Sequence, residues 1–397
     1  MVAMVSTSDS ASRGGAWMDP VRLGRIAHGG HCVARMAGRV VFVRHGIPGE
    51  LVRIALTDTS RPRFWWAEVS EVLEPAADRA GPPCPVAGLC GGCDFQHVGL
   101  ARQRVLKAQV IAEQLHRLAG IDHPVVVEPV PGDLTGQDYR TRMRFLVREG
   151  RVGLRGWRSD GLVVLPAMGC RIAHPAARRA LRDLMLPDGE IRVAVGSDAV
   201  SVLGQAAVPL LGPELLTQQV TGRRYSVRAA GFWQAHSGAA ELLARTVIEM
   251  LAPRVGDRAL DLYCGAGLFA GALADAGCLV TGIEAEPTAV ELARRNVPSA
   301  RFHAGRLAQL LGRLPGCTDL IVLDPPRAGA GERVSRRLAG LGARRICYVA
   351  CDPAALARDL ATFASAGYRL VELRAFDLFP MTHHVETIVL MSRVEGK

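Results

Sequence analysis

Lysine is almost missing from this chain of 397 residues: only Lys107 and Lys397 occur, so nearly all of its 48 basic side chains are arginine. A base composition favouring Arg, Ala, Gly and Val would produce that bias, so the +10 formal charge says less than its position does. No apolar run approaches the ~18 to 20 residues of a membrane-spanning helix. The opening stretch "MVAMVSTSDSASRGGAWM" lacks the apolar core of ~7 to 15 residues that a secretory signal needs. Residues 1–17 are expected to form a disordered leader, with Met18 as an alternative start. Without export, a disulfide framework is not expected for the ten cysteines. No internal repeat is present.

What remains is globular, at 49% hydrophobic and 22% charged, and long enough for two or three domains. The charge is concentrated. Between Gln137 and Asp183 eleven arginines face only Asp138, Glu149, Asp160 and Asp183, the footprint of a phosphate-binding surface. Within it "YRTRMRFLV" alternates as a strand does. Period-two geometry would put Arg140, Arg142 and Arg144 on one face as a basic ladder for RNA, with Met143 and Phe145 on the other.

Val21 to about Leu73 reads as short β-rich runs cut by Gly-Gly, Ala-Gly and Ile-Pro-Gly, which predicts a five-stranded barrel. "ARMAGRVVFVRHGIPGELV" resembles the TRAM module, an OB-like RNA-binding barrel. Leu100 to Gly120 carries Leu106, Val110, Ile111, Leu115 and Leu118 at helical spacing and ends on glycine, a helix expected only to pack. From Gly256 onward strands and helices alternate, which predicts a parallel sheet covered on both faces.

Near the start of that region "LDLYCGAGLFAGALA" is a strand, a Gly-x-Gly turn and a helix. Glu284 closes the next strand, where a carboxylate can take a ribose hydroxyl. "DPPR", Asp324 to Arg327, closes the fourth strand and favours S-adenosylmethionine over a nicotinamide.

The cysteines then sort themselves. "CPVAGLCGGCDFQ" clusters Cys84, Cys90 and Cys93, a metal-type spacing that lacks a local fourth ligand; Cys170 in "PAMGCRIAHP" is the candidate. Spacing alone leaves iron-sulfur and zinc open. Cys32, Cys264, Cys278, Cys317 and Cys347 read as small apolar residues. Cys351, in "YVACDP", stands between a strand's carboxyl end and a helix's amino end, a position expected to favour the thiolate.

Taken together, "CPVAGLCGGCDFQ", "DYRTRMRF", "FWQAH", "DLYCGAG", "LDPPRAG", "ACDP" and "HHVETIVLM" resemble the RNA uracil-5 methyltransferase family, in particular its branch with a TRAM module and an iron-sulfur cluster. The resemblance implies an α/β fold: a Rossmann-like class I methyltransferase domain with an N-terminal OB-like barrel and a small α+β central domain. The boundaries expected are a barrel at 18–76, a central domain at 77–97 and 125–230, and a methyltransferase domain at 98–124 and 231–397.

By the same likeness, Gln234, Tyr263, Gly265, Glu284 and Asp324 would hold S-adenosylmethionine, and Cys84, Cys90, Cys93 and Cys170 a [4Fe-4S] cluster. Cys351 would be the nucleophile and Glu386 the base. The substrate favoured is 23S ribosomal RNA, with the transfer RNA T-loop as the alternative; a cytoplasmic monomer without membrane association is expected. A protein that keeps the fold and binds RNA without catalysis is the rival reading. The chain departs from the family's common pattern at His236, Leu268, Ala350 and Asp352.

Overall fold

A computed structural model describes residues 20–394, so the expected leader lies outside the described residues. The chain divides between Arg79 and Ala80 into two compact units, three residues beyond the expected barrel boundary.

The first unit is built from β1 (Val21–Arg22), β2 (Ile26–Ala27), β3 (His31–Met36), β4 (Arg39–Arg44), β5 (Leu51–Asp58) and β6 (Phe64–Glu74). Six segments stand where five strands were expected, but β1 and β2 behave as one strand bent at Gly24. β1 pairs with β5, while Gly24 N donates to Val33 O and β2 pairs with β3. Together with the parallel β4–β6 pair, this closes the sheet into a five-stranded barrel of the OB type. Gly24 is required by the close approach, since a Cβ there would lie 2.9 Å from Val33 O.

In the second unit α1 (Leu100–Ala119) and β7 (Val127–Glu128) precede an antiparallel sheet. That sheet comprises β8 (Arg142–Arg148), β9 (Arg151–Arg155), β10 (Leu162–Val164), β11 (Gly189–Val195), β12 (Val200–Leu203) and β13 (Pro209–Leu211), with α2 (Pro175–Arg182) packed on it. The hairpin of β14 (Leu215–Val220) and β15 (Arg223–Arg228) follows, then α3 (Ala239–Leu251).

The C-terminal sheet takes β16 (Arg258–Leu262), β17 (Leu279–Glu284), β18 (Arg301–Ala304), β19 (Leu320–Leu323), β20 (Arg345–Ala350), β21 (Tyr368–Phe376) and β22 (Glu386–Arg393). Between these strands run α4 (Leu268–Asp275), α5 (Pro287–Asn296), α6 (Leu307–Leu310), α7 (Glu332–Ala339) and α8 (Pro353–Ser365). Strand order is β18-β17-β16-β19-β20-β22-β21-β7, and two apolar cores cover its faces. Such double coverage is why β19 reads "LIVL", buried throughout.

Three expectations need correcting. The sheet is not all parallel, because β22 inserts antiparallel between β20 and β21. The bounds expected for the central domain shift at two places: β7 joins the C-terminal sheet beside β21, and Leu216, Val220, Tyr225 and Val227 of the β14–β15 hairpin lie in that sheet's core, while the antiparallel sheet keeps a core of its own around Phe145, Val147, Ile191 and Val202. Helix α1 does more than pack. It buries Leu106, Ile111 and Leu115 as expected, but also Gln103, Lys107 and Gln114, while Leu118 is exposed.

Candidate active site

The antiparallel insertion of β22 brings two distant carbon skeletons together. Ala350 at the end of β20 pairs with Thr387 at the start of β22, so Cys351 and Glu386 meet at one edge of the sheet. A parallel β22 would have carried Glu386 to the opposite edge. At the same edge β16, β17 and β19 deliver Tyr263, Glu284 and Asp324, where open α/β sheets bind ligands. One cavity of about 730 Å³ is lined by Gln234, Tyr263, Gly265, Glu284, Asp324, Cys351 and Glu386, all expected from sequence, and by Arg140.

Glu284 is already oriented: its Oε2 accepts from Gly265 N (3.1 Å) and Oε1 from Glu286 N (2.9 Å). Tyr263 adopts φ 63, an uncommon conformation for a side chain of its size, and its N–H donates to Ile283 O. The Gly-x-Gly turn thus leans on the next strand. Asp261, missed in the sequence, sits wholly buried behind it with Oδ2 accepting from Ala270 N (2.7 Å) and Oδ1 without a partner.

Arg327, His384 and Phe379 were also missed as site residues, although the first two stand inside the motifs "DPPR" and "HHVE". Arg327 donates to His384 Nε2 at 3.2 Å. Burial, then the nearby His383 and Arg327 charges, push His384 down to about 3, so it stays a neutral acceptor.

The thiol contradicts its expectation. Burial, reinforced by Glu386, Asp324 and Asp352, pushes Cys351 up to about 12, with only Arg327 opposing. The amino end of α8 gives little help because Asp352 itself caps it, accepting from Ala355 N (2.8 Å). Alkylation of Cys351 by iodoacetamide in the free protein at pH 8 is therefore expected to be slower than that of an ordinary thiol by on the order of 10³. Its rate should rise about tenfold per pH unit; peptide mass spectrometry reads both, and fast alkylation levelling off near pH 8.5 would contradict the assignment.

Crowding acts on the carboxyls too. Burial and then the Asp324 charge raise Glu386 well above the usual carboxylate range, with Arg327 pulling down; burial also raises Asp324. Burial pushes Asp261 up to about 8. An unfolded aspartate titrates near 3.9, so between that value and about 8 the folded protein holds more protons, and stability falls as pH rises. The lowered His384 works in the opposite sense, but its contribution is complete above ~6.5. The thermal midpoint of the free protein should therefore drop by several degrees between about pH 6.5 and 8.5; an unchanged midpoint in a pH series would refute this.

Two of the departures from the family pattern, His236 and Leu268, face inward. His236 is buried against Tyr139 (ring centroids 4.9 Å apart, stacked), meets Asp133 Oδ2 at 3.1 Å and accepts from Gly238 N. Leu268 is core. Neither lines the cavity.

The three arginines are not equivalent. Arg140 lines the cavity and donates from Nε to Arg142 O (3.2 Å); Arg144 is exposed, 4.0 Å from Glu190. Arg142 is corrected from ladder to clamp: its guanidinium donates to the carbonyls of Arg228, Ala229 and Gly231 at 3.1, 3.0 and 2.7 Å, fixing the turn before Gln234. Burial lowers it to about 10.

Cys84, Cys90 and Cys170 are buried and Cys93 partly so, all as free thiols. Burial pushes Cys93 up to about 12, against a hydrogen bond with Gln96, and Cys170 up to about 11, against backbone hydrogen bonds at Ile172 and Ala173; the charges of Cys170 and Cys90 add to the first shift and those of Cys90 and Cys84 to the second. Soft thiols in that number suit an iron-sulfur or zinc centre. Yet among the described residues no group of three or more Cys, His, Asp or Glu converges as a metal site. Of the cysteines read as apolar, Cys317 is exposed and the other four are buried.

The thiol-bearing loop also grips the segment before Glu386. Asp94 and Phe95 donate their N–H groups to Met381 O, and Asp94 Oδ1 accepts from His383 N. Gln103 of α1 accepts from Met381 N, and Tyr139 OH donates to Pro380 O.

Comparison with known proteins agrees with this geometry. A family model described as tRNA (Uracil-5-)-methyltransferase matches residues 315–394. The chain is 42% identical over 427 residues to an uncharacterized RNA methyltransferase of Streptomyces avermitilis, covering 94% of this chain and 97% of that one. It is 32% identical over 429 residues to the 23S rRNA (uracil(1939)-C(5))-methyltransferase RlmD of Alkalilimnicola ehrlichii, covering 93% and 95%. In fold it matches the crystal structure of Pyrococcus abyssi tRNA (uracil-54, C5)-methyltransferase in complex with S-adenosyl-L-homocysteine, with TM-score 0.73, 22% identity, and 94% and 100% of the two chains covered. No helix among the described residues is long and apolar enough to cross a membrane. With relatives at such identity along nearly its whole length, the chain belongs to the RNA uracil-5 methyltransferase family.

Proposed function

We propose that the protein methylates C5 of a uridine in 23S ribosomal RNA, with S-adenosylmethionine as donor, Cys351 as nucleophile and Glu386 as base. The observation that carries this is the pairing of Ala350 with Thr387, which sets a thiol and a carboxyl side by side in the cavity that also holds Glu284 and Asp324.

Glu284 suits the ribose hydroxyls, and the glycine turn lets the cofactor approach the backbone; Gln234, Tyr263, Gly265 and Asp324 complete its walls. S-adenosylmethionine supplies an electrophilic methyl group together with a positive charge beside these crowded carboxyls. Uracil C5 is a weak nucleophile until Cys351 Sγ, its proton released to solvent, adds to C6 and pushes electron density onto C5. After methylation C5 carries both the methyl group and its hydrogen. Glu386 removes that proton in its carboxylate form, which burial and Asp324 disfavour and which Arg327 and the donor's positive charge favour, and the returning electron pair expels the thiolate from C6. Arg140 and Arg144 supply cations for phosphates near the cavity mouth.

Protein, S-adenosylmethionine and transcripts carrying 5-fluorouridine test this. Fluorine cannot leave C5 as a proton, so a denaturant-stable adduct should form with the 23S transcript; an adduct with transfer RNA alone would move the substrate, and none with either would favour a non-catalytic RNA-binding protein. Glu386→Gln should lower turnover by about 10² to 10⁴ while ordinary uridine accumulates as adduct, because the step lost follows addition. Mass spectrometry of the digested complex reads it; low turnover without adduct would assign Glu386 elsewhere.

The same reading places a [4Fe-4S] cluster on Cys84, Cys90, Cys93 and Cys170, on the strength of the donor set alone. Iron and acid-labile sulfide in anaerobically purified protein, lost in Cys90→Ser, would support it; zinc or no metal would replace it.

A further inference from the structure

Two more cavities continue from the catalytic one. The first, about 540 Å³, shares Arg140, Gly231, Phe232 and Ala235 with it. The second, about 490 Å³, shares Gly92, Arg144 and Leu154 with the first. A groove therefore runs from Cys351 out to Trp157.

Its chemistry is uniform in sign. Arg140, Arg142, Arg144 and Arg192 line the inner part and Arg155 and Arg158 the outer, and Glu190 is the sole carboxylate lining either cavity. Glu190 is already engaged, 3.1 Å from Arg192 and 4.0 Å from Arg144. The floor is the Gly91–Gly92 turn between two cysteines. Gly91 N donates to Arg155 O at 3.0 Å and Cys90 pairs with Gly156, so a Cβ on Gly91 would sit 3.1 Å from that carbonyl. The two glycines, unexplained by thiol spacing, keep this floor low. Aromatic rings stand at both ends: Phe232 is 75% exposed at the catalytic rim, and the Trp157 ring lies 4.7 Å beneath the Arg158 guanidinium.

Arginines along a channel with flat rings at its ends recognise the backbone and bases of a single strand. A duplex would offer the phosphates but not the base faces, since its bases already stack on each other and present only their edges. We propose that this groove binds the unpaired RNA strand flanking the target uridine on one side, with the Trp157–Arg158 pair as a stacking site for one of its bases. The inference rests on RNA being the substrate and adds where, and in what form, that RNA is held.

Uridine-centred RNA oligonucleotides, trimmed stepwise from either end, test it by fluorescence anisotropy and by methylation kinetics. Trimming one end past the groove should raise Kd and KM about tenfold with kcat unchanged, the scale of one base stacked on an aromatic ring. Trp157→Ala should cause the same loss on the long RNA and none on the trimmed one. Arg155→Gln/Arg158→Gln, on exposed side chains, should flatten the salt dependence of Kd by a slope of about 1.4, at ~0.7 per single-strand phosphate contact, and guards against a misfolded Trp157 variant. Variants that weaken long and trimmed RNA equally, or neither, would overturn the groove. Flank-dependent binding by a protein that methylates no RNA would instead sink the enzymatic reading and leave the groove standing.

Discussion

Cys351→Ala should form no adduct with 5-fluorouridine RNA and should lose methylation by on the order of 10⁴ or more, the scale of removing a covalent nucleophile. The fold gives this experiment a clean background. Cys351 follows the last residue of β20, and the cap of α8 belongs to Asp352, so alanine removes a sulfur from a cavity wall without touching a hydrogen bond of the helix. Thermal stability and affinity for S-adenosylmethionine should therefore stay close to wild type, read by thermal unfolding and calorimetry. Residual methylation above about one part in a hundred would mean that C5 is activated without the thiol. Cys347 is no substitute: it is wholly buried in β20, and burial holds it as a thiol.

That the thiol rests protonated was not legible from its motif. "YVACDP" places a cysteine before a helix, and a helix start attracts anions. What the motif hides is that Asp352 takes the helix's free N–H and that Glu386 and Asp324 arrive from strands remote in sequence. Residues whose partners lie nearby in the chain, such as Glu284 after the Gly-x-Gly turn, could be read directly. Sheet order could not. Alternation of strands and helices implies parallel neighbours, and only the hairpin of β21 and β22 reverses the last strand to bring Glu386 to the thiol. Arg142 shows the same limit: strand periodicity assigned its face, but the three carbonyls that claim its guanidinium lie more than 80 positions later.

Lys107→Ala should be the most destabilising single change near the site. Lys107 Nζ meets Asp377 Oδ1 at 2.5 Å and donates to Phe379 O at 3.0 Å, from a helix position 270 residues away. Both side chains are essentially excluded from solvent, and Asp377 Oδ2 has no partner at all. Burial lowers the lysine below its ordinary pKa, and the aspartate opposes that. Removing the lysine strands a buried carboxylate, at a cost of about 3 to 5 kcal/mol and a fall in thermal midpoint of roughly 10 °C. The double variant Lys107→Met/Asp377→Leu deletes both charges at similar volume and should regain most of that stability. Catalysis should not recover with it. Asp377 to Val385 is the connection that presents Phe379, His384 and then Glu386 to the cavity, and the double variant still removes the Lys107 bond that ties Phe379 O to α1, leaving that carbonyl only the local donors of Thr382. kcat should therefore stay depressed while the melting curve returns. A single variant that melts within a degree or two of wild type would show that the pair does not hold this segment, and a double variant with full kcat would show that holding it is irrelevant to the base.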